Sequence, residues 1–140
     1  MVYIDTSVIV AYYYPEALSQ KAEEFLLSHA NPAISNLTEV EVFSAISRKI
    51  REGGLEKRTA RRILAKFMEH VDGRFYMKLW LGPHHFRLAR DWMGLFNTGM
   101  RSLDALHLAV ASTQGCPLVT ADRGLAESAE ILGLEVVVLG

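Results

Sequence analysis

Four acidic residues carry the chemistry to be expected of this 140-residue chain: Asp5, Glu41, Asp104 and Asp122. Asp5 ends an apolar opening run, Met1-Val2-Tyr3-Ile4, and two hydroxyls, Thr6 and Ser7, follow at once. A carboxylate at the carboxyl end of a first β-strand lies on the ligand-facing edge of an open α/β sheet. Asp122 ends another such run, and Glu41 and Asp104 fall near the starts of helical segments that leave the strand edge. Carboxylates gathered on one edge repel each other unless a cation joins them, so the pattern points to a metal site. All-oxygen ligation suits Mg²⁺ or Mn²⁺ rather than zinc. The hydroxyls of Thr6, Ser7 and Thr120 are placed to orient these ligands or to hold phosphate.

Each acid also has an ordinary reading. Asp5 and Asp122 sit where a carboxylate caps the N-terminus of the following helix. Asp104, two residues after Ser102, is favoured there by the helix dipole, although an unpaired charge in so apolar a segment is costly. Glu41 shares a helical stripe with Leu37 and Ala45, where a solvated glutamate is the default. Glu39 competes with it but points to a different face. The four together say more than each alone, because strand ends and the helix starts beside them meet at the C-terminal rim of a parallel sheet.

Those residues must be positioned by alternating elements. Strands are expected at Val2 to Ile4, Pro32 to Ser35, Arg74 to Leu81, Pro117 to Thr120 and Glu135 to Leu139. Helices are expected at Thr6 to Tyr13, Glu16 to His29, Leu37 to Glu52, Glu56 to His70, Pro83 to Trp92, Ser102 to Thr113 and Arg123 to Leu132, from apolar spacing and from Gly and Pro stops. Alternation of this kind implies a three-layer α/β/α sandwich around a parallel sheet. Residues 1–140 are expected to form a single domain, since half are apolar and no linker or repeat divides them. The formal net charge of −1 advertises no global attraction for nucleic acid. One cysteine, Cys116, excludes an internal disulfide and a cysteine-rich zinc site, and a buried place beside a strand is expected for it. With no leader-like or membrane-spanning segment in view, the chain reads as a soluble cytoplasmic protein.

The motifs around the four acids are similar to those of the PIN-domain family, and specifically of its VapC-like ribonuclease toxins. Val2-Tyr3-Ile4-Asp5-Thr6-Ser7-Val8-Ile9-Val10, running on to Tyr14-Pro15-Glu16, resembles the first motif. Ile34-Ser35-Asn36-Leu37-Thr38-Glu39-Val40-Glu41 resembles the second, and its Thr-x-x-Glu selects Glu41 over Glu39. Leu103-Asp104-Ala105-Leu106-His107-Leu108-Ala109 and Leu118-Val119-Thr120-Ala121-Asp122-Arg123 resemble the third and fourth. Ala11 departs from a frequent lysine, and Gly124-Leu125 from a further acid or asparagine plus an aromatic, so a fifth ligand and a second metal site are not carried over.

The resemblance implies a PIN-like fold and a Mg²⁺- or Mn²⁺-dependent endoribonuclease leaving 5′-phosphate and 3′-hydroxyl ends. It also implies a homodimer, and a cognate antitoxin whose tail lies across the acidic pocket. Asp5, Glu41 and Asp104 would hold the principal ion, and Asp122 would complete the cluster or serve a second. A bound ion reverses the local sign, acidifies water and stabilises charge on the scissile phosphate, while one carboxylate takes the water's proton. RNA needs local positive charge, for which Arg101 beside the Asp104 helix and Arg48 at the end of the third helix are candidates. The basic run Lys57, Arg58, Arg61, Arg62 and Lys66 reads first as a solvated helix face. His84 and His85 lack zinc-pair spacing and are expected at the surface, and His107, one turn beyond Asp104, is expected to pack within its helix before touching substrate or an inner ligand.

Two rivals come from other classes. An aspartyl-phosphate enzyme would want a second acid where Ser7 stands. A non-catalytic PIN-like protein-interaction module would keep the sheet without turnover. Nucleotide binding is excluded by the lack of a glycine-rich phosphate loop.

Overall fold

The computed structural model describes residues 1–28 and 31–140. In chain order these form β1 (Val2–Ile4), α1 (Thr6–Tyr13), α2 (Ser19–Ser28), β2 (Pro32–Ser35), α3 (Asn36–Arg51) and α4 (Lys57–Asp72). Then come β3 (Met77–Leu79), α5 (Pro83–Met93), α6 (Ser102–Gln114), β4 (Leu118–Thr120), α7 (Arg123–Ile131) and β5 (Val136–Val138). The strands pair in parallel in the order β3-β2-β1-β4-β5. The chain therefore winds outward from β1 on one side and returns to build the other. That reversal opens a crevice at the carboxyl end of β1, the place where such sheets bind ligands.

Strand periodicity splits the core into two layers. Tyr3, Ala33 and Leu118 point to one face and pack with Leu106, Leu108 and Val110 of α6. Ile4, Ile34 and Val119, the next residue in each strand, point to the other and pack with Val8, Ile9, Val42 and Phe67. Both faces of the sheet are covered by helices, as the alternation of elements requires.

Four expectations need correction in detail. α2 starts at Ser19 rather than Glu16, because the Ser19 hydroxyl accepts from Glu16 N at 2.9 Å and donates to Tyr14 O, closing a turn there. The end expected for it, His29, lies outside the described residues. β3 is shorter than Arg74 to Leu81: α4 runs on to Asp72, Arg74 takes φ 61°, and Phe75 N returns to His70 O at 2.9 Å. Residues expected in the strand are thus used to end the helix. Cys116 is half-buried rather than enclosed. His85 is no surface residue. It is buried, accepting from Gly82 N at 2.9 Å through Nδ1 and pairing Nε2 with Thr113 Oγ1 at 3.0 Å, which fastens the start of α5 to the end of α6. Among the described residues, no helix is long and apolar enough to cross a membrane.

Candidate metal centre

Asp5 occupies the N-cap of α1, yet its side chain makes no cap hydrogen bond. Ser7 Oγ donates to its Oδ2 at 2.6 Å and Thr120 Oγ1 donates to the same oxygen at 2.9 Å. Ser7 Oγ in turn accepts from Ala121 N at 3.0 Å, and Thr120 Oγ1 from Asp122 N at 3.0 Å. The two hydroxyls expected behind Asp5 thus tie the end of β1 to the end of β4. Helix capping does not explain Asp5, which is buried and faces the crevice edge held by its neighbours.

Asp122 behaves differently. Its Oδ1 accepts from Gly124 N at 2.9 Å and Leu125 N at 3.2 Å, so it caps α7 as its sequence setting suggests. Asp104, in the first turn of α6, accepts only a long hydrogen bond from Arg101 N, 3.4 Å to Oδ2. Burial above all pushes the Asp104 carboxyl above its ordinary value. The Arg101 backbone N–H and His107 oppose this, and the negative charges of Asp5 and Asp122 add to it. The charges of Asp5 and Asp122 thus both reach the Asp104 carboxyl. Arg101, Asp104 and Asp122 line a cleft of about 430 Å³ between α6 and α7.

Glu41 comes from the second turn of α3. Its Oε1 accepts from Thr6 Oγ1 at 2.7 Å and pairs with His107 Nε2. Burial pushes this carboxyl up, but the hydrogen bond and charge of His107 and the Thr6 hydroxyl outweigh it, and the net displacement is downward. Glu39 is committed elsewhere, to an ion pair with Lys78 of β3 at 2.6 Å. His107, expected as packing, is indeed buried within α6, but it reaches Glu41 and so touches the candidate site. Apolar neighbours on both sides in sequence hide such a contact; only its place one turn beyond Asp104 hints at it.

These side chains do not form a ready-made cage. Among the described residues, no three His, Cys, Asp or Glu side chains are grouped so as to hold an ion. Among the described residues the expected convergence of four acids on one point is absent: Asp122 is held by its helix and Glu41 by His107. The donor set still fits a hard divalent cation. Among the described residues, the hydrogen bonds to each of the four carboxylates fall on one oxygen, leaving the other without one. The field that raises Asp104 is one a dication would relieve. Of the two arginines singled out, Arg101 lines the cleft, whereas Arg48 is exposed near the far end of α3, seven residues beyond Glu41.

The family model for the PIN domain matches residues 2–131. The chain belongs to the PIN-domain family. Solved PIN-fold structures share its architecture at low identity. FitAcB from Neisseria gonorrhoeae is 17% identical with a TM-score of 0.72, over 97% of this chain and 96% of that one. VapC20 of Mycobacterium tuberculosis, a sarcin-ricin loop cleaving toxin, is 17% identical with a TM-score of 0.68, over 84% of this chain and 87% of that one. VapBC2 from Rickettsia felis, bound to a DNA fragment from its promoter, is 16% identical with a TM-score of 0.71, over the full length of both chains. No curated protein matches the sequence at a significant level. In this PIN domain the four motif acids stand at the ends of β1 and β4 and in the early turns of α3 and α6.

Proposed function

We propose that this PIN domain, taken as residues 1–140, is a divalent-metal-dependent endoribonuclease and the toxin of a toxin–antitoxin pair. The observation that carries the reading is the placement of Asp104 and Asp122 in one cleft edged by Arg101, with the charges of Asp5 and Asp122 both reaching the Asp104 carboxyl. Uncompensated anions are not kept together in a half-buried place without cost, and a phosphodiester would be repelled by them. Mg²⁺ or Mn²⁺, when bound, would neutralise these groups and stabilise negative charge on the phosphate.

The chain's own residues take distinct parts in this reading. Asp5, Glu41 and Asp104 would hold the ion, and Asp122 would complete the set while it caps α7. Thr6, Ser7 and Thr120 donate to the carboxylates and fix their rotamers. One carboxylate accepts the proton of the attacking water. Arg101 supplies positive charge for the RNA backbone at the cleft, and Arg48 lies farther along the same helix as Glu41. Exposed apolar side chains such as Phe86, Leu95 and Phe96, the last 92% exposed, offer surface for an antitoxin or a second copy in a homodimer. Such a pair would work in the cytoplasm, where RNA is.

One observation favours the rival, a non-catalytic PIN-like interaction module: the acids do not close on a point. A single experiment separates the two. Cleavage of a mixed RNA pool is followed with Mg²⁺, Mn²⁺ or EDTA for wild type and Asp5→Asn. Cutting is expected with either ion, absent in EDTA, and reduced about a hundredfold or more in the variant. No cutting by wild type with either ion defeats the nuclease reading, and equal cutting by both proteins removes Asp5 from the mechanism.

A further inference from the structure

Behind Glu41, a string of buried polar side chains crosses the apolar layer on one face of the sheet. Ser35 and Tyr3 are 0% exposed and His107 is 1% exposed. The Tyr3 hydroxyl lies 2.8 Å from Ser35 Oγ and 2.6 Å from His107 Nδ1, and His107 Nε2 meets Glu41 Oε1. Thr6 Oγ1 donates to that same carboxylate oxygen from 2.7 Å. Polar groups this deep are costly unless each is paired, and a paired string of them is rigid. A leucine at 107, like Leu106 and Leu108 beside it, would fill the layer without such a demand.

The chemistry of the groups sets the direction of the string. A carboxylate only accepts, so Nε2 of His107 carries the proton that Glu41 receives. Nδ1 of the same ring meets the Tyr3 hydroxyl, which in turn meets the Ser35 hydroxyl. Burial pushes the Tyr3 phenol well up, which keeps it an O–H donor. Every member of the string has a partner, and among the described residues no buried side-chain polar atom is left unpaired.

We infer that His107, held by Tyr3 and Ser35, is the positioning residue that commits Glu41 Oε1 to the protein and leaves Oε2 available to a divalent ion. The inference rests on the metal-dependent reading of Asp5, Glu41, Asp104 and Asp122. Hydrogen bonds behind metal-ligating groups typically set affinity by a factor of about ten to a hundred.

The test is Mn²⁺ titration calorimetry on the full chain, alongside ion-free thermal denaturation and the kcat and KM for RNA cleavage. His107→Leu is expected to weaken Mn²⁺ binding about tenfold to hundredfold and to lower kcat, with KM for RNA unchanged. His107→Gln, whose amide N–H stands near the Nε2 position, is expected to recover most of both. Tyr3→Phe removes one oxygen without changing shape and is expected to fall between wild type and His107→Leu. In a Glu41→Gln background, His107→Leu is expected to add little further loss, because the histidine acts through that carboxylate.

Wild-type Mn²⁺ affinity in a folded His107→Leu variant overturns the inference, and so does a His107→Gln variant no better than the leucine. If His107→Leu does not fold, unchanged affinity in Tyr3→Phe overturns it instead. Wild-type protein that takes up no Mn²⁺ overturns the metal reading and this inference with it. Wild-type uptake with unaffected variants overturns this inference alone.

Discussion

Asp104 and Glu41 are two carboxylates displaced in opposite directions, and the signs have separate consequences for stability. Asp104 is held above its ordinary value, by burial first and then by the charges of Asp5 and Asp122. The folded state therefore binds its proton more tightly than the unfolded state, and stability is lost as pH rises through that window. Asp104→Asn is expected to raise the ion-free Tm at neutral pH by a few degrees, with the advantage shrinking on acidification, while Mn²⁺ uptake and cleavage are lost. Glu41 is displaced downward, because His107 and Thr6 outweigh its burial. Its contribution is present above the ordinary carboxylate range and is lost as pH falls through its lowered value. Glu41→Gln is expected to destabilise the ion-free protein at neutral pH, by a margin that closes as pH falls into the acid range. Thermal denaturation of the three proteins across pH checks both signs; a gap independent of pH for either variant contradicts the assignment for that residue.

At the scale of elements, α3 shows how one helix serves structure and site through different faces. Glu39 pairs with Lys78 at 2.6 Å and ties α3 to β3, while Glu41, two residues on, faces Thr6 and His107. Glu39→Gln is expected to cost under about 1 kcal/mol, the scale of a partly exposed ion pair, and to leave Mn²⁺ affinity and cleavage unchanged. Glu41→Gln is expected to weaken both strongly. Equal loss in the two variants would mean that the helix face has been misassigned. The start of α3 is set by a buried box in which Ser35 N donates to Thr38 Oγ1 at 3.0 Å. Thr38→Val keeps the shape and removes the hydroxyl, so about 1–2 kcal/mol of stability is expected to go, measured by urea denaturation. Removing a hydroxyl at an exposed position of the helix, by Ser44→Ala, should cost almost nothing.

For the whole molecule, the relevant quantity is linkage between ion binding and folding. The chain carries a formal net charge of −1, so no long-range field gathers RNA, and what attraction there is must be local. An ion bound only by the folded state stabilises it by mass action. Mn²⁺ at a hundred times its dissociation constant is expected to add about 2.7 kcal/mol, seen as a rise in Tm that Asp5→Asn does not show. Identical Mn²⁺-induced shifts in wild type and variant would place the ion elsewhere than at the end of β1.

Much of this was legible from residue order, because it depends on local rules. The alternation of short apolar runs with amphipathic stretches determined a parallel sheet covered on both faces, and the strand ends determined where Asp5 and Asp122 stand. Period-two splitting of Tyr3 from Ile4 follows from the strand alone. What residue order left undecided are contacts between distant segments. The burial of His85, the commitment of Glu39 to Lys78 and the reach of His107 to both Tyr3 and Glu41 join residues up to 104 apart in sequence. Only tertiary packing decides them, because a side chain's partner is set by which faces the sheet brings together and not by its neighbours along the chain. The same holds for the four acids: their types and positions are in the sequence, but the distribution of hydrogen bonds that leaves one oxygen of each uncommitted belongs to the fold.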